Sequence, residues 1–399
     1  MNRLPFHALA AVTSIGLALA ASPAHALVTV HESDAASLKL GFLLQPQLHL
    51  MQHGTTEDGL GIDPYIRRAR ILMAGKVGEN VHFFAETDNP NFGKNGDWTG
   101  KTFIQDAFVE FNLGKPLKID VGMLLMPFAH HSFQSATSLL TMDYHGGMIK
   151  YSSGYIWRDA GVMLRGSVAN DKLDYRLAIT NGVENQLPTT MVDDGTGTMI
   201  ETPMDNALNP SDLPRMMARV NFNVFDSEDG VGAGGFFYDG IYLKENENGK
   251  LISSKKVLSF GAAVDYQGNA VYDASGETNA WMGVAADAFW DLPMGDKKHS
   301  LNGQVDFFMY NMGDAHALNG MGVFGDLGYR IHRVQPLVSV EWFDYAEHDT
   351  MDWMTVMGGV NWWYMGHTAN VKLQAGATRL GDSDQDFGFS AAVQSQLNF

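Results

Sequence analysis

The side chains best placed to do chemistry are two adjacent histidines and a hydroxyl, His130-His131-Ser132. Paired imidazoles can ligate a metal, and an imidazole beside a serine can, with an acid supplied from elsewhere, activate a nucleophile. A metal site needs a third ligand at a defined spacing, and none follows, so the pair reads more simply as polarity within a loop. A second candidate, Asp382-Ser383-Asp384-Gln385-Asp386, copies the opening of a calcium loop. The position that requires glycine is Phe387, and the one that requires a bidentate carboxylate is Val393, so an acidic external loop that weakly bridges divalent cations fits better than a dedicated site. The chain carries no P-loop, dinucleotide fingerprint, HExxH or GxSxG, and no cofactor is expected.

The remaining chemistry-bearing residues are ionised groups spaced two apart, and that spacing says what positions them. In Leu38–Gln52 the even positions are apolar, from Leu38 and Leu40 to Leu48 and Leu50, while the odd positions are mostly polar. Period two belongs to a strand with two unlike faces. The same template fits residues 38–52, 65–77, 80–89, 102–113, 117–127, 157–169, 172–182, 214–225, 257–267, 280–292, 299–311, 320–332, 334–346, 353–365, 368–380 and 387–399. Each of these sixteen segments is close to the roughly 9–11 residues with which a tilted strand crosses a bilayer. A further stretch, Val231–Leu243, is broken by Gly232, Gly234 and Gly235 and is assigned to a long periplasmic connection, which keeps the strand number even.

Short links, such as Leu113–Leu117 and Ala169–Lys172, alternate with long polar ones through the first half of the chain, among them His53–Pro64, Phe128–Ile156 and Val183–Leu213. This is the rhythm of an outer-membrane barrel with short periplasmic turns. The fold class expected is therefore all-β, a transmembrane antiparallel β-barrel of about sixteen strands. On this register the outward charges, Arg67, Arg158, Asp344 and Arg379, fall only near strand ends. Trp290, Tyr329, Trp342, Trp362, Tyr364 and Phe399 fall where interfacial aromatic girdles belong.

Composition agrees. Of 399 residues 45% are hydrophobic and 18% charged, with no cysteine and a net charge of −18. Missing cysteines exclude disulfide-stapled and zinc-thiolate scaffolds, and the acidic excess argues against nucleic acid. Residues 1–26 read as a signal peptide: Arg3, the apolar run Ala8–Ala21, then Ala24-His25-Ala26 at the cleavage positions. Residues 27–399 form the barrel domain, expected in the bacterial outer membrane among lipid and lipopolysaccharide.

Several stretches resemble the phosphate-selective porin O and P family. They are Tyr65-Ile66-Arg67-Arg68-Ala69-Arg70, Met126-Pro127-Phe128, Arg158-Asp159-Ala160-Gly161-Val162, Tyr175 through Asn181-Gly182, and Arg219-Val220-Asn221-Phe222. Gly328-Tyr329-Arg330, Gln335-Pro336-Leu337, Gly358-Gly359-Val360-Asn361 and the terminal Gln396-Leu397-Asn398-Phe399 extend the likeness along nearly the whole mature chain. The resemblance implies a sixteen-stranded pore, commonly a homotrimer, for passive diffusion of small hydrophilic solutes or ions, with anions such as phosphate among the candidates. It also implies an inward-folded constriction loop at about Phe128–Tyr155, containing His130, His131 and Tyr144, and a C-terminal Phe399 read by the barrel-insertion machinery.

The expected lumen carries Arg68, Arg70, Arg165, Arg176, Arg215 and Arg219 against Asp106, Glu110, Asp265, Asp287, Asp306 and Asp326. The arginines concentrate in the first half of the chain and most of the aspartates in the second, so a transverse field is expected, unless neighbouring charges pair. The family's arginine ladder and lysine cluster do not map onto particular positions. Three other readings remain open at this stage: a barrel sheath around a multihaem electron conduit, a barrel hydrolase resting on His131 and Ser132, and a soluble secreted β protein.

Overall fold

A computed structural model describes residues 27–52, 59–146, 157–182, 189–193, 199–203, 212–228, 236–246, 248–272, 277–315, 319–346, 352–381 and 387–399. The signal segment, the acidic run 382–386, residues 231–235 of the interrupted stretch and residues 147–156 of the expected constriction loop lie outside these.

Sixteen strands form one antiparallel meander: β1 (Ala36–Gln52), β2 (Leu60–Val77), β3 (Val81–Asp88), β4 (Phe103–Asn112), β5 (Lys118–Leu125), β6 (Arg158–Val168), β7 (Leu173–Thr180), β8 (Arg215–Asn223), β9 (Val257–Tyr272), β10 (Thr278–Met294), β11 (His299–Asn311), β12 (Gly320–Ile331), β13 (Val334–Tyr345), β14 (Trp353–Trp362), β15 (Ala369–Leu380) and β16 (Gly388–Asn398). Each pairs with its sequence neighbours, and β16 returns to β1 from Leu43↔Asn398 to Met51↔Ser390, closing the barrel. Phe42 and Phe399 exchange both backbone hydrogen bonds at the seam. Beyond it a short strand, Val28–Glu32, pairs with the start of β1. Closure leaves no open edge, the condition for a sheet to sit in hydrocarbon.

All sixteen expected segments are strands. Four run further than the alternation suggested: β1 and β10 by two residues at an end, and more markedly β2, which begins at Leu60, and β9, which continues to Tyr272 past an irregularity between Gln267 and Val271. Pro64 had marked a loop, yet it sits opposite Leu48 inside the β1–β2 ladder. Proline survives in a strand only where its missing N–H leaves no ladder bond unmade.

Burial is inverted relative to a water-soluble sandwich. Arg215 and Asp265 are fully buried, whereas Ile62, Ile71, Val338 and Leu373 are more than half exposed. Along β8 the inward residues Arg215, Met217, Arg219, Asn221 and Asn223 alternate with exposed Met216, Val220 and Phe222. Tyr329, Trp342, Trp362, Tyr364 and Phe399 are outward aromatics near strand ends. Only a surrounding apolar solvent accounts for greasy residues outside and ionised ones within. The soluble reading is corrected accordingly.

Two outward assignments are also corrected. A bulge between Gln45 and Pro46 skips Arg67, so β2 changes phase there and Arg67 turns inward to Asp143. Such an extra residue flips the facing of everything beyond it. Arg158, the first residue of β6, also bends inward to Asp106 at 2.8 Å.

Candidate functional site

The inner wall places ionised side chains two residues apart along each strand, and the register of adjacent strands brings opposite charges within reach. Arg70 of β2 donates to Glu86 (3.1 Å) and Asp88 (2.9 Å) of β3 and to Gln105 (3.2 Å) of β4. Arg165 of β6 bonds Asp120 of β5 at 2.6 Å and also reaches Glu110 of β4. Arg215 and Asp265 form a bidentate pair across β8 and β9, joined by the Trp281 indole N–H at 2.6 Å. Arg219 grips Asp287 with bonds of 2.5 and 2.8 Å, reaching over Gly261 of the intervening β9. The expected transverse field is therefore not what the wall carries. Most of the arginines are neutralised by a carboxylate one or two strands away, and charge-assisted bidentate contacts of this kind are the strongest available.

Residues 128–146 cross the bore. The chain leaves β5 and forms a single helical turn, α1 (His130–Phe133), near β10. Arg219 donates to the Phe128 carbonyl at 3.3 Å, and the His130 backbone N–H donates to Asp287 at 3.2 Å. The loop then runs along the opposite wall, where Gln45, Gln396, Asn361 and Lys372 donate to the carbonyls of Ala136, Thr137, Leu140 and Leu139. Lys372 also takes the Thr141 carbonyl at 2.8 Å. Finally Asp143 is held by Arg67 and Arg68 of β2. Expectation had counted charges only; the amides that clamp this loop were equally visible as alternating polar positions on β1, β14 and β16.

The loop histidines differ in state. His131 Nε2 accepts from the His145 backbone N–H at 3.0 Å, which requires a neutral ring, and its Nδ1 meets Gln134 Oε1 at 3.0 Å. Burial first, and then the nearby His145 charge, hold its pKa down to about 3. His145 lies between Asp326 (2.9 Å) and Glu341 (3.4 Å). Burial alone would lower its pKa, yet the two carboxylates carry it up to about 10. Asp306 sits fully buried beside this group.

Ser132 donates to the Ala129 carbonyl at 2.8 Å, and both ring nitrogens of His131 have other partners. The dyad that the hydrolase reading required is not formed. Tyr144 donates to the Gln134 carbonyl at 2.5 Å, and Phe128 stacks on Tyr310.

A second segment enters from the short-turn end, and its inward path is unexpected from the sequence. Residues 224–256 join β8 to β9, where other links at that end are as short as 332–333 and 295–298. Phe236, Tyr238, Ile241 and Tyr242 are buried within the barrel. Phe236 stacks on Phe108 at 4.1 Å, and Phe237 meets Phe84 edge-on. Arg176 donates to the Phe236 carbonyl at 2.8 Å and lies over the Phe133 and Tyr238 rings. The backbone of Tyr238 bonds Phe133 O and Ser135 N, a parallel bridge to the constriction loop at Gln134. Open cavities remain on both sides, one lined by Gln47, His49, Thr355, Gln374 and Ser390, the other by Lys118, Arg165, Asp174, Arg176 and Glu228. A bore crossed this way has no room for a second polypeptide, which removes the conduit-sheath reading.

The phosphate-selective porin O and P family matches residues 51–203, the stretch that holds β2–β7 and the constriction loop. No curated protein matches the chain. Among solved structures, the outer membrane channel DcaP of Acinetobacter baumannii is similar at 11% identity and a TM-score of 0.58, covering 92% of this chain and 99% of that one. Salmonella typhi OmpF in complex with daunomycin gives 12% and 0.58, with 93% and 100% covered. An anion-selective porin from Comamonas acidovorans gives 11% and 0.57, with 91% and 100% covered. At these identities the likeness is one of fold: a porin barrel.

Proposed function

We propose that this chain, a porin-fold barrel of the bacterial outer membrane, forms a water-filled channel for passive diffusion of small hydrophilic solutes, without strong preference for either sign of charge. The observation that carries the reading is the inner wall itself. Ionised side chains line it, yet Arg70, Arg165, Arg215 and Arg219 are each committed to a carboxylate. Selection of phosphate or another anion needs convergent donors not already neutralised. The match over residues 51–203 supports the channel class, and the pairing supports weak selectivity. We further propose a homotrimer, delivered by the signal at residues 1–26 and inserted through Phe399.

Bilayer recordings of the refolded protein in asymmetric KCl test this. Stepwise conductance with a reversal potential near zero is expected. A reversal potential close to the Nernst limit for either ion would overturn weak selectivity, and folded barrels that never conduct would overturn the channel.

A further inference from the structure

On the long-loop side of the constriction the bore widens into a recess of about 240 Å³, bordered by Thr141–Gly146 and by the inner faces of β13–β16 and β1. That is the space of about eight waters. The recess follows from the inward positions of three adjacent strands. Gly359 on β14, Gly376 on β15, and Ser390 and Ala392 on β16 carry too little side chain to fill it. Register sets Gln374 of β15 between Gly359 and Ala392, and Gly376 beside Ser390.

The recess differs from the rest of the lumen in what it offers a solute. Its carboxylates are already engaged: Asp143 is held by Arg67 and Arg68, and Glu341 lies 3.4 Å from His145, which also bonds Asp326 at 2.9 Å. What remains is neutral hydrogen-bonding capacity. Gln374, only 7% exposed, accepts the Met142 backbone N–H through Oε1 at 3.1 Å, while its Nε2 has no partner among the described residues. His49 Nδ1, on the same wall, is likewise unpaired. So is Oε1 of neighbouring Gln394, whose amide donates to Gln47 at 3.1 Å. Buried donors and acceptors are costly to leave unmet, so a solute that displaces water here must present both. A hydroxyl donates and accepts, and a ring bearing several can serve Gln374 Nε2 and Gln394 Oε1 alike. An ionised solute finds no uncommitted counter-charge and loses hydration on entry.

We infer that this recess is a binding subsite for an uncharged polyhydroxylated solute the size of one sugar ring. Gln374 is its principal donor, and the short side chains of Ser390 and Ala392 give it room. That the bound solute then crosses the membrane rests on the channel reading above.

Glucose is the probe, with gluconate and glucosamine at neutral pH as its charged counterparts. In saturation-transfer NMR on detergent-folded barrel, glucose should give a saturable signal, and both counterparts should bind at least about tenfold more weakly. Ala392→Leu fills the recess and leaves every hydrogen bond named here in place, while Gln374→Met removes the unpaired donor. Each should raise the glucose Kd about tenfold. Heat-modifiable migration on gels identifies barrels that have folded. The absence of a saturable signal in folded wild type would overturn the subsite, as would unchanged affinity in both folded variants or equal binding of all three probes. Saturable glucose binding by a folded barrel that never conducts would uphold the subsite and overturn the channel reading instead.

Discussion

Gly261 offers a clean test of whether the lumen is held by cross-strand ion pairs. It lies on β9 between Arg219 and Asp287, and a methyl group there would stand 2.2 Å from Arg219 Nη2 and 2.4 Å from Asp287 Oδ1. Those two atoms form the 2.8 Å bond of the pair, so Gly261→Ala drives a wedge into it while leaving Nη1 to Oδ2 in place. Losing one hydrogen bond between charged groups costs about 1.5–3 kcal/mol. Alanine's lower conformational entropy in a strand returns about 0.5–1 kcal/mol, for a net loss of about 1–2. Gly325 of β12 is the control: a methyl there meets Val305 at 3.7 Å and the Gln304 carbonyl at 3.8 Å, ordinary contacts. Gly325→Ala should be neutral or slightly stabilising. Neither glycine has a left-handed backbone, so the contrast isolates the ion pair. The two variants should differ by about 2 kcal/mol, near thirtyfold in the unfolding constant, in guanidinium titrations of detergent-folded barrel followed by tryptophan fluorescence. If Gly261→Ala proves as stable as Gly325→Ala, the pair contributes nothing and the packing argument for this wall fails.

Three further outcomes follow from the same contacts. Lys372→Met leaves the carbonyls of Leu139 and Thr141 without their donor; limited proteolysis of the intact barrel should then cut the constriction loop, and stability should fall by about 2 kcal/mol. Arg70→Gln frees Glu86 and Asp88 from their cation, and should move the reversal potential toward the potassium limit, a severalfold gain in cation preference that an unshifted value would contradict. His145, raised from 6.5 to about 10, stabilises loop docking fully below its unfolded value and loses that contribution as pH rises toward 10. Current noise should accordingly grow across that interval in the wild type and stay flat in His145→Gln.

Period two made the wall legible. Every barrel strand alternates against either lipid or water, and that constraint is local enough to read from the chain. Register is not local. The partner of Arg219 is Asp287, two strands away, and only the registers of β9 against both β8 and β10 set that distance. The inward turn of Arg67 depended on one skipped residue opposite Pro46, which alternation on a single strand does not reveal. Residues 236–242 were least legible. Phe236-Phe237-Tyr238 has neither strand nor helix period, and its glycine-rich approach resembles a broken strand. Its burial comes from tertiary contacts with Phe84, Phe108 and the constriction loop. Among the candidate residues, identity and inward facing were readable, while what each side chain binds was not.

The insertion between β8 and β9 has a practical corollary. It leaves and re-enters the molecule through adjoining strands that are already zipped together, so it is severable. Splicing in a turn as brief as the one at His332-Arg333 would excise it without disturbing a single rung of the ladder. The same scaffold is thus a starting point for a wider nanopore, whose aperture is then set by the constriction loop alone.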